Sequence, residues 1–287
     1  MFPLSAERKG VFLILAAALL WSSGGIGIKA VSEGPLVVTF YRSLFAAGVL
    51  FFLIRPRVPR VTVPFVIATI SYGACLTSFV VATKLTTAAN AIFLQSSGVI
   101  WVLLLSPVFL EERFKMRDGI AVLAAICGMA LFFVGELEPK NQLGNVMAIV
   151  SSLFFATLIM SLRRERGASA EAAISWGNLL LAIVLLPFIA SDLRLAPVSI
   201  PILLGLGVFQ IGAAYFLFVR GLSHVPATEA SLIGMIEPIM NPLWVFLFLG
   251  ERPRNSALLG GAIVLAAIAW RTMGSDEKET PVPVGVL

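Results

Sequence analysis

The fold class this sequence predicts is an all-α membrane protein: about ten transmembrane helices, in two inverted five-helix repeats, with both termini cytoplasmic. Three observations predict it. The 287 residues are 59% hydrophobic and only 13% charged, against about 45–50% and about 25% in ordinary soluble domains. The apolar residues fall into runs close to the roughly 20 residues a helix needs to cross a hydrocarbon core of about 30 Å. The two halves of the chain share a residue pattern. A soluble chain of this length has too much surface to cover with so few charges, whereas lipid solvates an apolar exterior.

Backbone groups in lipid must pair internally, so each long apolar run is read as a helix. The runs lie at about 10–30, 36–54, 63–83, 88–110, 117–135, 143–162, 172–190, 200–220, 227–249 and 256–273. Short connections carry turn and charged residues, as in Arg55-Pro56-Arg57, Glu138-Pro139-Lys140-Asn141 and Ser191-Asp192-Leu193-Arg194. The first run follows Arg8 and Lys9 but is too long for a signal-peptide core, so it is kept as a helix. The polar stretch from Gly274 opens a tail, 274–287, that is expected to be disordered and cytoplasmic.

The net charge of +5 comes from 21 Lys and Arg against 16 Asp and Glu. With the N-terminus inside, fourteen basic residues fall in inner segments, six in outer ones, and Arg42 inside a span. That bias puts both termini in the cytoplasm. The basic residues are thus topology signals, and no nucleic-acid partner is expected. Cys75 and Cys127 sit within apolar runs and are read as packing residues, with no metal or redox spacing.

The repeat is visible in particular residues. Phe109-Leu110-Glu111-Glu112-Arg113 closes the fourth run and Phe248-Leu249-Gly250-Glu251-Arg252 the ninth. Ala91 precedes Glu112 by 21 residues, and Ala230 precedes Glu251 by the same 21. The first and sixth runs echo each other more weakly: Gly10 with Gly144, Trp21 with Phe155 and Lys29 with Arg163, each 134 residues apart. Five helices per half is an odd number, so the second half enters the membrane upside down. Many secondary transporters are built this way, with substrate bound between the halves near the midplane.

At these residues the chain resembles the EamA family of the drug/metabolite transporter superfamily. The resemblance is carried by Leu20-Trp21-Ser22-Ser23, Phe40-Tyr41-Arg42, Ala88-Ala89-Asn90-Ala91 through Glu111-Glu112-Arg113, Ile236-Glu237-Pro238 and Gly250-Glu251-Arg252. It implies one five-helix unit over 1–140, a second over 141–273 and a central cavity. It also implies export of amino acids or related metabolites across a bacterial-type inner membrane, with the aromatic and neutral amino-acid exporters nearest.

Candidate site residues follow from what is costly in lipid. Charges there are rare and often functional, and only Arg42 and Glu237 lie well inside spans. Arg42 suits a substrate carboxylate, a gating carboxylate or a structural set of carbonyls. Glu237 suits a substrate ammonium, a coupling proton or a hydrogen bond to a neighbouring helix. Pro238 removes a helix hydrogen bond beside it and is expected to kink the ninth span. Helical phase groups Ala230, Gly234, Glu237, Asn241 and Trp244 on one stripe, and Asn90, Leu94, Ser97 and Trp101 on the matching stripe of the fourth span. Polar stripes should face protein or a cavity. Trp21, Tyr72, Phe79, Trp101, Trp176 and Tyr215 lie at mid-span rather than in the interfacial belts where Trp and Tyr usually sit. They fit an aromatic cavity or ordinary packing. Gln95, Ser96, Asn178 and Gln210 add polar groups at the same depth.

An enzyme is disfavoured. One histidine cannot supply a His-Glu-x-x-His zinc site, and no Gly-x-Ser-x-Gly element or phosphate-cradling loop occurs. No cofactor or metal is expected. A channel would need repeated polar rings. The expected partners are a small-molecule substrate and the lipid bilayer, with protons a candidate co-substrate and both monomer and homodimer open. Two alternatives stay open: an exporter of lipophilic cations, and a membrane protein of structural or receptor type.

Overall fold

A computed structural model describes residues 5–56, 60–112, 115–135, 141–165, 167–240 and 254–273. Among them the regular structure is entirely helical. In chain order the helices are α1 (Ala6–Trp21), α2 (Gly24–Ala30), α3 (Pro35–Ile54), α4 (Val63–Leu85), α5 (Ala88–Ser96), α6 (Gly98–Phe109) and α7 (Met116–Phe132). The second half supplies α8 (Gln142–Glu165), α9 (Gly167–Ile189), α10 (Ser199–Gly205), a π-helical stretch Leu206–Ala213, α11 (Ala214–Leu222) and α12 (Ala227–Gly234). It ends with α13, described over 236–240, and α14 (Asn255–Met273).

Eight helical segments among the described residues are long and apolar enough to cross a membrane. Ala6–Ala30, Ala88–Phe109 and Ser199–Leu222 count as single spans although each is interrupted inside. The fifth expected span is the 17-residue α7, about 25 Å long at 1.5 Å per residue. Part of the ninth lies outside the described residues.

Local chemistry explains the starts and interruptions. Thr62 and Thr87 cap α4 and α5 by accepting from the Phe65 and Asn90 amides. In the first span the hydroxyls of Ser22 and Ser23 donate back to the Leu19 and Leu20 carbonyls, and the helix breaks there. Ser97 does the same to Leu94 between α5 and α6. Such back-bonding competes with the helix ladder and bends it. In the ninth span the break falls at Met235, and Pro238 has no N–H to offer the Gly234 carbonyl four residues earlier.

The two halves pack reciprocally. α1 packs on α11 and α12, the eighth and ninth spans, while α8 packs on α4, α5 and α6, the third and fourth. α3 lies along α9, and α7 along α14. The weak repeat of the sequence is repeated in space. Gly10 faces His224 and Val225 in the α11–α12 connection, and Gly144 faces Leu85 and Thr86 where α4 ends. Lys29 Nζ donates to the Thr86 carbonyl (2.7 Å), and the Arg163 guanidinium donates to the Leu222 carbonyl (2.9 Å).

Glycines set the closest crossings. A Cβ on Gly260 would lie 2.4 Å from both the Gly128 carbonyl oxygen and the Phe132 nitrogen, so α14 and α7 touch backbone to backbone. Large apolar side chains such as Phe52, Val108 and Phe188 point outward, as a lipid-facing surface requires.

Candidate functional site

Three interruptions and the π stretch converge on a cavity of about 60 Å³, enough for a few waters. Trp21 and Gly98 flank the breaks of the first and fourth spans, Gln210 and Ile211 belong to the π stretch, and Gly234 and Met235 form the ninth-span break. A π turn inside a helix commonly marks a functional site, because it re-aims side chains and frees backbone groups.

The polar wall is built from Arg42 and Gln210. Arg42 is 2% exposed, and its guanidinium donates to Gln210 Oε1 at 2.5 Å. Gln210 Nε2 in turn reaches the Trp21 carbonyl at 3.5 Å. Arg42 Nε has no hydrogen-bond partner, so a buried donor of the guanidinium fork is left for another acceptor. Glu237 lines the same cavity, partly buried, within electrostatic reach of Arg42. Gln95 donates to Ser151 Oγ (3.0 Å), and Cys75 Sγ lies 3.6 Å from that oxygen.

The apolar wall is aromatic. Trp21 meets Tyr215, Phe218 and Phe155 with ring centroids 5.0, 4.9 and 5.8 Å away, and its indole N–H has no acceptor. Phe79 completes this side.

Of the expected site residues, Trp21, Arg42, Phe79, Gln95, Gln210, Tyr215, Glu237 and Pro238 line the cavity. Others lie elsewhere. Tyr72 is fully buried behind the wall, accepting from Asn178 Nδ2 (2.8 Å) and meeting Tyr215 edge-on at 4.8 Å. Trp176 packs on Phe51 between α9 and α3. Asn90 sits near the start of α5, bonded to Thr86 and Asn145. Ser97 and Trp101 both bond Ser152 of α8, at 3.1 Å each. The stripe Asn90–Leu94–Ser97–Trp101 does not line the cavity: beside the break at Ser97 it is Ile92, Gln95, Ser96 and Val99 that face inward. Asn241 and Trp244 lie outside the described residues.

Sequence reasoning missed Phe155, Cys75 and Ser231 as lining residues. Phase alone carries a signal for one: Ser231, Gly234, Met235 and Pro238 form an i, i+3, i+4, i+7 face beside the Ala230–Glu237 stripe. The repeat carried another, since Phe155 is the counterpart of Trp21.

The model of the EamA-like transporter family matches residues 8–134 and again residues 142–273. The chain belongs to the EamA-like transporter family. It is a transporter and not an enzyme, and a multi-pass membrane protein. It is 28% identical to an uncharacterized transporter of Archaeoglobus fulgidus over 270 residues, covering 92% of this chain and 97% of the relative. It is 26% identical over 296 residues to a probable terminal-alkyne amino-acid exporter of Streptantibioticus cattleyicolor, covering 95% and 98%. An uncharacterized inner membrane transporter of Salmonella typhimurium is 22% identical, with 96% and 99% covered. A chain of known crystal structure superposes with a TM-score of 0.78 at 16% identity, over 93% of this chain and 97% of that one. This EamA-family chain thus shares that fold.

Proposed function

We propose that this EamA-family transporter exports amino acids, aromatic and other neutral ones, or related small metabolites. It does so by alternating access of two oppositely inserted five-helix units across a bacterial-type inner membrane, with both termini cytoplasmic. The observation that carries the substrate class is the cavity: Arg42 with an unpartnered Nε and Glu237 share one wall system with Trp21, Phe79 and Tyr215. A zwitterion with an apolar side chain matches that set. Its carboxylate pairs with the guanidinium fork, its ammonium with Glu237, and its side chain with the aromatics. The amino-acid exporter of Streptantibioticus cattleyicolor supports the same class.

Reciprocal packing supports opposed insertion, because the packing of α1 on α11 and α12 has its counterpart, with the halves exchanged, in that of α8 on α4, α5 and α6. The charge bias supports cytoplasmic termini. Breaks at the cavity give both halves points about which the ends can move while the site stays fixed.

Counterflow in proteoliposomes tests the reading. Vesicles preloaded with unlabelled phenylalanine or leucine should transiently accumulate the labelled form, and excess substrate should saturate the rate. The second reading, export of a lipophilic cation, rests on the aromatic wall with one carboxylate. Tetraphenylphosphonium counterflow without amino-acid counterflow would select it.

A further inference from the structure

A second set of buried charges lies away from the cavity, where α7 begins, α12 begins and α14 ends. Asp118 of α7, Glu229 of α12 and Arg271 of α14 are 7%, 1% and 5% exposed. The guanidinium gives its Nε to Asp118 at short range, and its Nη1 stands 3.4 Å from Glu229 Oε2. Neither oxygen of Glu229 accepts a hydrogen bond. A carboxylate this buried needs hydrogen bonds to its charge, and Glu229 has one ion pair, at 3.4 Å, to a guanidinium already engaged by another acid. Other groups do not repair this. Glu7 of α1 adds repulsion, and Lys115, just before α7, adds attraction. Arg163 of α8 is held by Glu112 and the Leu222 carbonyl, and Arg220 of α11 by Glu171. Of the first-half helices packed against α12, α6 carries no titratable group, α7 brings Asp118, and α1 begins with Glu7, Arg8 and Lys9.

We propose that Glu229 is a proton-binding site, separate from the substrate cavity, and that its proton locks this end of the transporter shut. With the proton on, the carboxyl is neutral and the ends of α7, α12 and α14 stay packed. Opening this end exposes Glu229 to water, where the carboxyl releases the proton to the aqueous phase on that side and ionises. Closing takes a proton back from the same phase. Acidity on this side therefore favours the closed end, and alkalinity the open one. Asp118 sets the strength of the lock by competing with Glu229 for Arg271.

The test uses the full-length protein in nanodiscs and in proteoliposomes. Infrared difference spectroscopy should show a protonated-carboxyl band in the wild type at neutral pH that Glu229→Gln removes. Phenylalanine counterflow should rise at least several-fold as the pH on this side is raised in the wild type, and become flat with pH in Glu229→Gln. Asp118→Asn frees Arg271 for Glu229, so the carboxyl band should persist only to lower pH. It also keeps the proposal testable if Glu229→Gln fails to fold. A band and pH profile unchanged in Glu229→Gln, a titration unmoved in Asp118→Asn, or no wild-type band at neutral pH would overturn the proposal. The infrared readout needs no transport, so failure of the exporter reading is distinguishable from failure of the lock.

Discussion

Trp21 and Phe155 hold equivalent places in the two repeats, 134 residues apart in sequence, and their rings meet edge to face with centroids 5.8 Å apart at the cavity wall. In the proposed arrangement of oppositely inserted halves, residues related by the internal two-fold meet only near its axis. That proposal places the cavity where the two halves would turn about each other, as alternating access requires.

The polar anchor makes a sharp prediction. Arg42→Lys keeps the charge but loses the planar fork that reaches Gln210 and leaves Nε free. A hydrogen bond to a charged group is worth about 1.5–3 kcal/mol, or about 10- to 150-fold in affinity. Counterflow of zwitterionic amino acids should fall by that order in Arg42→Lys as well as in Arg42→Gln. Wild-type rates in Arg42→Lys would show that charge alone suffices.

Ser152→Ala separates packing from binding. It removes the acceptor for the Trp101 indole N–H and a partner of Ser97. Stability in detergent should drop by about 1–3 kcal/mol, while the order of preference among substrates stays the same. A changed order, with stability intact, would put Trp101 back in the site.

Gly260→Ala should damage folding where Gly48→Ala does not. The added methyl at Gly260 meets backbone on α7, whereas nothing lies within 4 Å of a Cβ at Gly48. Overpacking costs about 1–3 kcal/mol, while alanine in place of glycine inside a helix gains about 0.5–1 kcal/mol. Thermal unfolding of the two variants in the same detergent measures the contrast directly.

Stability should also fall in acid through Glu33, in the connection between α2 and α3. Burial alone would push its carboxyl up, but the neighbouring Ser199 hydroxyl, the Ala196 amide (2.9 Å) and the charge of Lys84 outweigh it, holding it below the ordinary 4.5. A folded value below the unfolded one gives stability that is present above pH 4.5 and lost as pH falls through the folded value. Glu33→Gln should show a smaller drop over that window than the wild type, and an identical drop would remove Glu33 from the account.

Much of this was legible in the sequence because lipid imposes simple rules. Apolar length gave the helices, and repeated spacings such as Ala91–Glu112 and Ala230–Glu251 gave the two halves. Arg42, Gln210 and Glu237 stood out because polar groups in lipid are expensive. Helical phase failed where the helix is not continuous. The stripe through Asn90, Ser97 and Trp101 assumes an unbroken helix, and the Ser97 hydroxyl, bonded to the Leu94 carbonyl, breaks it. The π turn that aims Gln210 has no signature in residue type. Tyr72 and Trp176 matched the mid-span rule yet do not line the cavity, since depth in the membrane does not say which way a ring faces.

The most direct test compares phenylalanine counterflow in the wild type, Arg42→Gln and Ser152→Ala, reconstituted at equal amounts of folded protein. The account predicts saturable counterflow in the wild type, at least a tenfold loss in Arg42→Gln, and rates near the wild type per folded molecule in Ser152→Ala. Counterflow retained in Arg42→Gln would contradict it, as would a wild type inert toward every neutral amino acid.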